Sequence, residues 1–172
     1  MIGKALDAVY RAAGALAGAF LVAILVLVVA QIGLRLVGRI LPSADEFAGF
    51  CLAATSFLGL AQAFRSASHI RVTLFLQRAP AGLRRWLEAL ALALAAAVVC
   101  VFAWYTLSML WTSWARGEVT SGLVPLPLWL PQLGMGIGAA LMALAVVEDL
   151  VRALLGRETS YAAAEAAGEI GE

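Results

Sequence analysis

Leu21-Val22-Ala23-Ile24-Leu25-Val26-Leu27-Val28-Val29-Ala30 decides the fold. A helix on the surface of a water-soluble protein carries a polar face, and this stretch has none. In lipid such a helix satisfies its own backbone groups and needs no polar side. Working outward, the first charges met are Arg11 and Arg35, leaving Ala12 to Leu34 uncharged. As a helix this run is roughly 34 Å long, against a hydrocarbon core of about 30 Å.

Three further stretches have the same character. Phe47 to Phe64 lies between Glu46 and Arg65, and is just long enough to cross. Ala89 to Ala115, between Glu88 and Arg116, is longer than needed and should tilt or protrude. The last runs from Val119 to Val147, before Glu148-Asp149. Its opening, Pro125-Leu126-Pro127-Leu128-Trp129-Leu130-Pro131, is too rich in proline for a helix interior but suits a first turn. This helix therefore begins between Pro127 and Pro131. The sequence predicts an all-α integral membrane protein with four transmembrane helices, at about residues 12–34, 47–64, 89–115 and 128–147. They form one membrane domain over residues 1–157, followed by an acidic, alanine-rich tail over 158–172.

Composition agrees. Of 172 residues, 63% are hydrophobic and 13% charged, where soluble domains run to about half apolar and about a quarter charged. The formal net charge of +1 points to no nucleic-acid partner. Lys4 and Arg11 before an apolar run imitate a signal peptide, but the run is too long and Gln31-Ile32-Gly33-Leu34-Arg35 makes no cleavage site, so an uncleaved first helix is expected.

The basic residues set the orientation. Nine Lys and Arg fall on the side holding both termini and the second loop, and three fall on the other. The positive-inside rule then puts both termini in the cytoplasm. Trp86 marks the inner end of the third helix, and Trp111, Trp114 and Trp129 gather at the outer face, as headgroup belts do. The second loop, Arg65 to Glu88, contains Ile70-Arg71-Val72-Thr73-Leu74-Phe75-Leu76-Gln77. Its alternation imitates a strand, but an isolated strand has no partner at a membrane. An interfacial helix with its arginines near anionic headgroups is the expectation, ended by Ala79-Pro80-Ala81-Gly82.

Chemistry-bearing residues are sparse. Cys51 and Cys100 sit in apolar runs without a CxxC pairing and read as small buried residues. His69 is the single histidine, so no metal cluster forms around it, and no cofactor is implied. No nucleophile, base and orienter can be assembled, so an enzyme is not expected. Ionisable residues at mid-span are the usual functional sites of membrane proteins, and the four runs hold none. Their polar residues, Gln31, Thr55, Ser56, Gln62, Ser108 and Thr112, are of the kind that ties helices together. Small residues four apart (Gly14 and Gly18, Ala91 and Ala95, Gly134 and Gly138) would allow close approach.

The edge charges form the candidate site: Arg35, Asp45, Glu46, Arg65, His69 and Arg71. Arg35 and Arg39 leave the first helix, and Asp45-Glu46 enter the second, at a helix N-terminus that favours negative charge. An Arg35–Glu46 pair between those helices is the plain structural reading, and a surface for a partner protein is its rival. Arg65, His69 and Arg71 follow the second helix, where headgroup anchoring competes with a docking role.

In order, Gln31-x3-Arg35, Gly38-Arg39, Asp45-Glu46, Gly59 and Arg65-x3-His69-Ile70-Arg71-Val72 closely resemble the small membrane subunit of the tripartite ATP-independent periplasmic (TRAP) transporters. Pro127-Leu128-Trp129 after Thr120-Ser121 is similar to that family too. The resemblance covers about residues 12 to 150. It departs at Pro42-Ser43-Ala44, where the family often carries a tryptophan just before the glutamate. The resemblance implies a non-catalytic subunit of the bacterial inner membrane. Its partners would be a large membrane subunit, which carries the substrate and sodium sites, and, transiently, a periplasmic binding protein that delivers an organic acid, with membrane lipids around it. Spans that are continuous and free of buried carboxylates fit a scaffold, since substrate-binding transporters have broken helices near the midplane. Two other classes compete. A self-sufficient four-helix exporter relies on a membrane-embedded glutamate, and the first run contains no acid. A quinone-linked disulfide oxidase needs reactive thiol pairs near water, which Cys51 and Cys100 do not supply.

Overall fold

The computed structural model describes residues 2–65, 80–157 and 159–160. Four helices account for nearly all of them: α1 (Ile2–Leu36), α2 (Ala44–Arg65), α3 (Ala81–Arg116) and α4 (Trp129–Leu154). Each is long and apolar enough to cross a membrane, through Leu6–Leu36, Ala44–Arg65, Trp86–Arg116 and Trp129–Leu154. The all-α, four-span architecture expected from the sequence is therefore present, and among the described residues there is no strand, only an isolated bridge between Val119 and Pro127. Residues 66–79, where an interfacial helix is expected, lie outside the described residues.

The helices outrun the uncharged stretches. α1 begins ten residues before Ala12, and α3 eight before Ala89. Charged residues mark where the hydrocarbon ends, and lysine, arginine and glutamate are good helix formers that let the helix continue into water.

Three of the helices stop in the same way. Gly38, Gly117 and Gly156 have positive φ (70°, 64° and 68°). After α1, the Arg39 N–H donates to Leu34 O (2.8 Å) and the Gly38 N–H to Arg35 O (3.1 Å). The same pair of bonds closes α3 through Glu118 and Gly117, and α4 through Arg157 and Gly156. This is the Schellman ending, in which a left-handed residue turns the chain back over the last carbonyls.

Neighbours run in the order α1, α2, α4, α3. α1 and α3 flank the row: among the described residues the extensive helix contacts are those of α1 with α2, α2 with α4 and α4 with α3. The seam of α1, α2 and α4 is built mainly from alanine: Ala13, Ala17, Ala54 and Leu58 form one buried cluster, with Phe20 and Leu141 against it. Tyr10, Ala61 and Ala145 form a second. α4 is served on both sides by Gly134-Met135-Gly136-Ile137-Gly138. A Cβ at Gly134 would lie 2.7 Å from Ala54 Cβ, and one at Gly138 would collide with the backbone of Phe57 and Leu58. Gly136 faces the other way, towards Leu107 and Leu110 of α3. Without a hydrophobic force between helices in lipid, close backbone approach of this kind supplies the packing. Phe57 of α2 also stacks on Phe102 of α3 at 5.7 Å.

Candidate functional site

Strand-like pairing at the α3–α4 turn and the short α1–α2 turn bring two loops together at one end of the row. In the α3–α4 turn, Thr120 N–H donates to Leu126 O and Leu128 N–H to Glu118 O, each at 2.8 Å. The loop thereby satisfies much of its own backbone. It docks on the α1–α2 turn, where Ser43 has the left-handed φ of 56°. Ser43 Oγ accepts from the Val124 N–H at 3.1 Å. Gly122 lies so close that a Cβ there would overlap the Glu46 carboxylate and come within 2.9 Å of Ser43 Oγ. Glu46 thus faces the α3–α4 loop. The expected Arg35–Glu46 pair is not among the ion pairs within 4.0 Å of the described residues. Arg35 and Asp45 are exposed.

At the opposite end the charges converge. Arg65, in the last turn of α2, donates from one guanidinium nitrogen to Asp7 of α1 and from the other to Glu148 of α4, the latter at 2.9 Å. Its side chain is 13% exposed. Glu148 also takes Arg152, one turn on along α4. The Arg65 guanidinium stacks over the Tyr10 ring at 4.6 Å, a cation–π contact. Arg65, read from the sequence as an anchor or docking residue, is instead turned into the row and shared by three helices. His69 and Arg71 lie outside the described residues.

Among the in-span polar residues, Thr55 ties helices together by donating to Ala17 O across the α1–α2 seam at 3.1 Å. Thr112 donates to Ser108 O within its own helix. The sequence reading passed over Asp7, Tyr10 and Asp149. Asp149 is fully buried and accepts from both the N–H and the hydroxyl of Ser160, at 2.9 and 2.6 Å. Glu148 and Arg152 were findable as an i,i+4 pair. The partners of Arg65 carry no local signal. Cys51 and Cys100 are both free.

The fold and these edges define a multi-pass helical membrane protein whose charge clusters hold helices and loops to one another. The sequence model of the family described as tripartite ATP-independent periplasmic transporters, DctQ component, matches residues 24–156. The chain belongs to this family, the small component of TRAP transporters, which is a family of transporter subunits and not of enzymes. No curated protein matches the chain.

Proposed function

We propose that the chain is the scaffold subunit of a TRAP transporter in the bacterial inner membrane, with both termini in the cytoplasm. It packs beside the large membrane subunit and supports sodium-coupled uptake of an organic acid that a periplasmic binding protein delivers. Family membership carries this reading. The open helix row supports it: only 11% of the spanning window of α1 is buried within the chain, against 33% for α4. A flank so bare has area to offer a partner as well as lipid. Arg35 and Asp45, exposed at the outer end, are candidate contacts for that partner, and His69 and Arg71 are candidates at the inner end.

Tagging the C-terminus, extracting the membrane in mild detergent and identifying what co-purifies tests the proposal. A large polytopic partner near one-to-one is expected, and the chain alone in liposomes should move no substrate. A homo-oligomer without a partner, or uptake by the isolated chain, would overturn it.

A further inference from the structure

One feature of the inner end is left unused by the helix clamp. Asp7, Tyr10, Arg11, Gln62 and Arg65 line an open cleft of about 350 Å³ between α1 and α2. Arg65 is engaged by its two carboxylates. Arg11 is not: its side chain is exposed and its one hydrogen bond is a 3.4 Å contact from Nε to the backbone carbonyl of Asp7. Asp7 gives Oδ1 to Arg65, and its side chain is still 48% exposed. The hydroxyl of Tyr10, sealed in the wall, has no hydrogen-bond partner. Among the described residues the cleft therefore offers a cation with no carboxylate partner and a half-open carboxylate one helical turn apart, with Glu148 offsetting Arg65 behind them.

The depth is set by the sequence. Arg11 is the last charge before the uncharged run from Ala12 to Leu34, so the cleft opens where hydrocarbon meets headgroups. Below it on the same face of α1 come Gly14, against the Gln62 stem, and Gly18, where a Cβ would meet nothing within 4 Å. Gly18 therefore leaves open surface on this face of α1, one turn below the Gln62 contact.

We propose that this cleft binds the headgroup of a phosphoethanolamine lipid. Arg11 donates to the phosphate, in the charge-assisted geometry for which guanidinium is suited. The free face of the Asp7 carboxylate takes the ammonium, whose two-carbon link to the phosphate is comparable to one turn of helix. The open surface at Gly18 leaves room for an acyl chain beside α1. A zwitterion fits better than a purely anionic headgroup, because its ammonium gives the free face of the Asp7 carboxylate a partner that an uncharged glycerol headgroup lacks.

The test uses the purified full chain in detergent, with lipid retention followed by native mass spectrometry. Phosphatidylethanolamine should be retained about tenfold better than phosphatidylglycerol of the same chain length, the size of one charge-assisted hydrogen bond. Arg11→Ala should lower the retention of both lipids about tenfold while leaving the unfolding temperature of the delipidated protein unchanged, and Arg11→Lys should restore part of it. Equal retention of the two lipids in the unsubstituted chain, a comparison that needs no variant, would overturn the proposal. So would unaltered phosphatidylethanolamine retention in Arg11→Ala. Free phosphoethanolamine displacing the lipid at equal concentration would also overturn it, by making the ligand a soluble metabolite.

Discussion

The two ends of the helix row are held by different chemistry. At the end where α1 begins and α2 and α4 finish, side chains do the joining: Arg65 reaches Asp7 and Glu148 at once, and Tyr10 lies beneath its guanidinium. At the other end the joining is done by turns: Ser43 accepts from the Val124 backbone, and Glu46 sits against Gly122. The ion pair at this second end, Arg116–Glu118, is 3.8 Å long and well exposed. The difference follows from connectivity. Two loops meet at the second end and can dock on one another. At the first end the described ends of α1, α2 and α4 come from distant parts of the chain, so a shared cation has to bring them together.

Substitutions at the two ends should therefore differ in size. The largest loss is expected for Arg65→Ala, which strands Asp7 and leaves Glu148 with Arg152 alone, at about 3 kcal/mol given that Asp7 is half open to solvent. Thermal unfolding in detergent would measure it. Arg65→Lys should recover only part, because a point charge cannot serve both partners as a planar fork does. A loss below 1 kcal/mol, within the range of an exposed pair, would erase the contrast between the ends.

Next comes the middle of the row. Gly138→Ala should cost about 2 kcal/mol, since the new methyl meets the backbone of Phe57 and Leu58 and the helices must part. Gly18→Ala, with open space around it, should be neutral or stabilise by a few tenths of a kcal/mol. The same unfolding measurement decides both, and equal effects would mean that α2 and α4 do not approach this closely.

At the loop-docked end the effects shrink. Ser43→Ala removes one hydrogen bond and should cost about 1 kcal/mol, visible as faster amide hydrogen exchange at Val124 with the Arg65 end of the row unchanged. Smallest of the losses, Arg116→Gln should change stability by less than about 0.5 kcal/mol, because an exposed pair gains little in water. A large effect there would show that this end is also held by charge.

Much of this was legible in the residues. Uncharged runs located the spans, and Pro127 to Pro131 bracketed the start of α4 at Trp129. The edge motifs carried the family resemblance that the match over residues 24–156 then supported. The candidate site was read less well. Arg65 was marked from its place at a membrane edge, but its partners are 58 and 83 positions away. Glu46 was paired with Arg35 because the two are close in sequence, whereas the structure sets it against a loop more than seventy residues on.

What the sequence determined by itself is local: which segments are helical and apolar enough to cross, and where the last of them begins. Each of these depends on a residue and its near neighbours, through hydrophobicity and backbone freedom. The tertiary structure alone decided the order α1, α2, α4, α3, the two carboxylates that share Arg65, and the difference between Gly138, pressed on a backbone, and Gly18, facing open space. Helices that are apolar all round carry no stripe to mark the side they bury. Only the packed chain shows which small residue meets a neighbour and which meets the membrane.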